Sequence, residues 1–175
     1  MRFSDILHAY FRGEATEAWF FIVPAGLLLL AVGGALLWQN RTPFDFGLSI
    51  PSLLFGLSLS VIGVTVGART ASQVQALEAV YQRSPVELAN AELLRMEKVM
   101  QNFRSTFYAF GALAAVGLLL IYGIRREWAT GLGIALIVGA GIGLTVDGVA
   151  ERRAHPYVDA LKSLRAGDQA VEAAR

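Results

Sequence analysis

The stretch AWFFIVPAGLLLLAVGGALLW, Ala18 to Trp38, carries no charge over its whole length. About 20 helical residues cross the hydrocarbon core of a bilayer, and there every backbone polar group has to be bonded within its own segment or barrel. Three further runs are long and apolar enough to do the same, at about 47–68, 104–124 and 131–150. The expected fold is therefore all-α, a polytopic membrane protein with four transmembrane helices forming a single membrane domain over residues 1–175. Between and after the spans lie a helical segment, 69–103, and a tail, 151–175. Trp19 and Trp38 bracket the first span as interface residues do. That span is too long for a signal h-region and has no clear A-x-A cleavage site, so it is expected to be retained. Only 17% of residues are charged, against about 25% in soluble domains.

Basic residues set the orientation, because cytoplasmic loops hold the excess of Lys and Arg. Arg2 and Arg12, then Arg69, Arg83, Arg95, Lys98 and Arg104, then Arg152, Arg153, Lys162, Arg165 and Arg175 fall on one side. Only Arg41, Arg125 and Arg126 fall on the other. The expected location is the bacterial inner membrane, multi-pass, with both termini cytoplasmic and short outer loops. A net charge of +1 gives no reason to expect nucleic acid as a partner. The chain has no Cys, which excludes disulfides and thiolate chemistry. With two His residues, no metal centre or cofactor is expected.

Sliding the chain by 84 residues lays FGLSIPSLLFG over TGLGIALIVGA. Gly47 falls on Gly131, Leu48 on Leu132, Gly33 on Gly117, Arg69 on Arg153 and Leu77 on Leu161. The expectation is two repeated hairpins in one orientation, related by an axis along the membrane normal. Asp147 falls on Gly63, so that acid belongs to one half only.

Outside the spans, Phe3, Ile6, Leu7, Tyr10 and Phe11 recur at helical spacing with Asp5, His8 and Arg12 between them. This amphipathic N-terminal helix suits either the membrane surface or packing on the other cytoplasmic segments. Ser84-Pro85-Val86-Glu87 has the form of a capped helix start. The helix that follows aligns Leu93, Met96, Met100 and Phe103 in one stripe and is expected to run on into the third span.

Two constellations are candidates for function. Gly139 and Gly143 on the fourth span, and Gly63 and Gly67 on the second, form small-residue steps that admit another helix closely. They serve either the packing of this bundle or a partner-helix face. The second constellation is an intramembrane polar cluster of Asp147, Glu151, Arg152, Arg153, Arg69 and Arg104, joined by Glu14 and Glu17 before the first span. Asp147 lies about 6 Å of helix rise before Glu151, in the inner part of the bilayer. A carboxylate there needs a cation, water or a proton. The open roles are a structural ion pair, proton or ion transport, and partner contact.

DGVAER, Asp147 to Arg152, resembles the start of the D-G-x-x-A-R pattern of CDP-alcohol phosphotransferases. Glu151 replaces its Ala, and Leu161 and Arg165 stand where a Gly and a metal-binding Asp are required. The pattern is therefore not carried, and no enzyme is expected. YFRGEATEAWFFIVPAG, LRMEKVMQNF and AERRAHPYVDAL together resemble a group of small, mostly uncharacterised bacterial four-span inner-membrane proteins. Proteins of this architecture are similar to the membrane immunity proteins paired with type VI secretion toxins. The resemblance implies a non-enzymatic binding protein that neutralises a pore-forming toxin, with the bilayer and a cognate membrane toxin as partners. A small oligomeric ion channel or transporter, hence a homo-oligomer, is the alternative reading. A third is a membrane assembly subunit docking a partner through the helix around Glu87 to Arg104.

Overall fold

The computed structural model describes residues 2–39 and 41–173, with side-chain surroundings up to residue 167; Arg175 lies outside them. The described chain is helical almost throughout. Its four long helices are α1 (Phe3–Gln39), α2 (Pro43–Arg83), α3 (Pro85–Ile124) and α4 (Glu127–Ala173). Each has a segment long and apolar enough to cross a membrane. A 40-residue helix is about 60 Å long, twice the hydrocarbon core. The polar half of each helix therefore projects beyond the apolar half, and together these halves form a stalk that contains the α2–α3 junction, the start of α1 and the end of α4.

Local chemistry accounts for the starts and irregularities. Ser84 caps α3 by accepting from the Glu87 N–H, with Pro85 at the first helical position. Thr42 caps α2, where its hydroxyl accepts from the Asp45 N–H and the Asp45 carboxylate accepts from the Thr42 N–H and hydroxyl. α1 widens to a π-helical turn at Ala18–Ile22. Pro24 stands just after Val23, and its ring would collide with the carbonyl of Phe20 in a regular α-helix. Arg41 and Arg125 turn the two short loops with left-handed φ of 51° and 52°. Each folds its guanidinium back onto the preceding helix, where Nε donates to the carbonyl of Leu37 or Tyr122.

Arg41 and Arg125 are 84 residues apart, and the repeat recurs throughout the packing. Gly33 sits against Leu53 and the carbonyl of Ser49, while Gly117 sits against Ile137 and the carbonyl of Gly133. Those neighbours are themselves 84 apart. Gly47 packs on the backbone of Trp128 and Leu132, and Gly131 packs on the backbone of Phe44 and Leu48. Such reciprocity is the signature of a two-fold relation. α2 and α4 cross at this pseudo-axis, with α1 along α2 and α3 along α4. The flanking position of α3 leaves 6% of its most apolar window buried, against 39% for α4.

The main hydrophobic core lies in the stalk rather than between the spans. Phe3, Leu7, Tyr10 and Phe11 of α1 join Leu88, Ala89 and Met96 of α3 and Ala154, Tyr157 and Leu161 of α4. Of the two settings open to the N-terminal helix, the structure selects packing on the other stalk segments. Most of its apolar face is buried there, with Ile6 partly exposed, so the helix is not laid along the lipid surface by that face.

Candidate functional site

At the junction between stalk and spans, α1 carries Glu14 and Glu17 one turn apart. Both turn toward the repeated arginines. Arg153 donates to Glu17 at 2.7 Å, and Arg69 lies 3.5 Å from Glu14. The first pair is largely withdrawn from solvent, whereas the Arg69 side chain is half exposed. Arg153 reaches Glu17 across Gly13, where a Cβ would come within 2.5 Å of the arginine Cδ. Its guanidinium also lies 6.0 Å from the centre of the Tyr10 ring. The equivalents of Glu14 and Glu17 in the second half are Lys98 and Gln101. Only α1 therefore has carboxylates for both arginines, and this draws it against α2 and α4 and breaks the symmetry of the stalk.

Asp147 is half-buried beside this belt, and its Oδ2 is buried with no hydrogen-bond partner among the described residues. Glu14 Oε2 and Arg153 Nε are in the same condition. The other expected members of the cluster are not brought in. Glu151, Arg152 and Arg104 are exposed and take part in none of the ion pairs among the described residues.

The four glycines are contact points between helices of this chain. Gly63 faces Val23 and Ile22 on α1, and Gly67 faces the Trp19 indole. Gly139 receives the Phe55 ring, 2.6 Å from where a Cβ would stand, and Gly143 receives the Phe110 ring. All four are taken up by large side chains of this same bundle. Of the two roles open to these steps, close packing within this bundle is the one they serve here, with Gly67 still partly exposed.

A second polar group sits inside the stalk. Glu92 is 5% exposed and takes a forked interaction from Arg95, at 2.7–3.0 Å. The Tyr157 hydroxyl donates to the same carboxylate at 3.1 Å, and Tyr157 stacks on Tyr10 with ring centres 4.7 Å apart. Burial and then the charge of Glu92 hold the Tyr157 phenol well above its ordinary pKa of 10. Burial and the charge of Glu14 push Tyr10 upward in the same way. Burial works against the charge on Arg95, but its bonds to Glu92 outweigh that and its pKa is raised. Sequence pattern places Glu92 merely between apolar stripe positions. The signal for its role is distant, since Tyr157 is 65 residues away along the chain.

One face of the stalk remains open. Leu93, Met96 and Met100 of α3 and Val158 of α4 floor a cavity of about 370 Å³ rimmed by Glu97, Lys162 and Arg165. Leu94 stands beside it, 66% exposed. Compared with protein-family models, with curated proteins and with solved structures, the chain matches none.

Proposed function

We propose that this chain is a non-enzymatic binding protein of the bacterial inner membrane, with its stalk and both termini in the cytoplasm, that engages a partner through the stalk. The observation that carries this reading is the open α3–α4 face, an apolar floor with two cations and one acid on its rim. Its chemistry suits an amphipathic helix with an acidic flank. Proteins that bind present exposed apolar surface rimmed by polar groups, and Leu94 is such a residue outside the spans. A pore-forming toxin is one partner of this class, and the architectural resemblance to type VI immunity proteins favours it. Because the glycine faces are occupied, a toxin would be met at the stalk rather than along Gly139 and Gly143.

The test is a detergent pull-down of the tagged full-length chain from native membranes, run beside Leu94→Glu. A secreted toxin or assembly partner that co-purifies with the wild type and is lost with Leu94→Glu supports the reading. A partner retained unchanged by Leu94→Glu, or a homo-oligomer alone, counts against it.

Asp147 carries a second reading, a small channel or proton pathway, because its buried Oδ2, at the edge of the spans, has no hydrogen-bond partner among the described residues. Reconstituted liposomes would then show ion or proton flux that Asp147→Asn changes. Equal flux from both proteins would remove that reading.

A further inference from the structure

α1 and α4 touch in the stalk but barely within the membrane, where each packs on other helices. The gap between them is a groove. Its lower part is a cavity of about 540 Å³ running from Ala9 and Arg12 up to Phe21 on one wall, and from Arg153 up to Thr145 on the other. A second cavity of about 400 Å³ continues it past Ala25, Val138, Gly141 and Ile142. The two share Phe21, Thr145 and Val146, so they are one channel open to the side.

Its length and polarity match one lipid. Ala9 to Ala25 is sixteen steps along nearly continuous helix, about 24 Å. One leaflet, headgroup region included, is about 20–22 Å. The upper part is apolar and lies within the spans. The lower part carries Arg12 and Arg153 against the single acid Glu17, and Glu17 is already bound to Arg153. Arg12 is exposed and makes none of the ion pairs among the described residues. The groove therefore ends in one uncommitted positive charge at headgroup level.

The internal repeat gives this place a counterpart in the other half. At the equivalent positions in the other half, Leu57 stands for Gly141, Ser105 for Phe21 and the fully buried Met96 for Arg12. Gly141 has nothing within 4 Å of where a Cβ would be, so no other part of the described chain fills the space there. We infer that the groove between α1 and α4 is a binding site for a single anionic phospholipid, its acyl chain against Phe21, Gly141 and Ile142 and its phosphate at Arg12. This site is separate from the stalk face and holds whether or not the stalk binds a protein.

The full-length protein would be reconstituted in mixed vesicles of phosphatidylglycerol and phosphatidylcholine, extracted in mild detergent, and its retained lipid counted by native mass spectrometry. The wild type is expected to keep one phosphatidylglycerol in preference to phosphatidylcholine. One arginine near the membrane surface is worth about fivefold, so Arg12→Gln should cut the preference by about that factor. Gly141→Leu, which copies the other half, should abolish retention, while Gly34→Leu, at another open glycine, should leave it intact. Equal retention of the two lipids by the wild type would overturn the proposal. So would a preference unchanged by Arg12→Gln, retention that survives Gly141→Leu, or loss of lipid in Gly34→Leu as well. A dimer that Gly141→Leu disrupts, with no lipid retained, would show that a second copy fills the groove instead.

Discussion

Arg153 shows how tightly the junction is constrained at a single position. Its side chain crosses α1 at Gly13 and is bonded to Glu17, which is 7% exposed. Removing one partner of a buried pair strands the other, at a cost of about 3–5 kcal/mol. Arg153→Met should therefore lower the thermal stability of the detergent-solubilised protein markedly, and adding Glu17→Gln should restore most of it. Lack of recovery in the double variant would mean that Arg153 acts through packing on Tyr10. Tyr157 supplies a test against pH. Its phenol is neutral and its pKa is raised in the folded protein, so the stabilisation is complete below about pH 10 and is lost as pH rises beyond it. Stability should fall steeply in that range, and Tyr157→Phe should flatten the fall. At neutral pH the same variant should cost about 1.5–3 kcal/mol for a hydrogen bond to a charged group. None of this is visible from spacing alone, because Glu92, Tyr10 and Tyr157 meet only after α1, α3 and α4 have come together.

Helices are where the sequence is most legible. Apolar runs mark the four spans, since length against bilayer thickness is a strong criterion, and the Ser84 cap is where its neighbours predict. The helices nevertheless outrun the spans at the stalk end, because backbone hydrogen bonding does not stop where the lipid does. The shift of 84 residues was also legible, and the structure gives it meaning in the crossing of α2 and α4. Gly47 and Gly131 meet backbone there, which cannot move aside as a side chain can. Gly47→Ala and Gly131→Ala should each destabilise by about 1–3 kcal/mol and by similar amounts, whereas Gly111→Ala and Gly148→Ala, with open space around them, should be neutral or mildly stabilising. Unfolding of the four variants in mixed micelles would check the contrast. What remained hidden was the occupant of the other glycine steps. Small residues announce a close approach, but Phe55, Phe110 and Trp19 read in sequence like any lipid-facing aromatic.

For the whole molecule, orientation decides where the stalk operates. The chain has no Cys, so single cysteines can be introduced without background. In intact cells a membrane-impermeant maleimide should label Arg126→Cys at the loop end and spare Ser163→Cys in the stalk; the reverse pattern would invert the proposed topology. The position of the core also sets the order of assembly. Phe3, Tyr10 and Phe11 wait for Tyr157 and Leu161, residues that follow the fourth span in the chain. Contacts so far apart along the chain form late and slowly. Insertion and folding are thus separate events here. A chain can have its spans in the bilayer and still expose unpaired aromatics beside it until the end of the last helix closes the stalk.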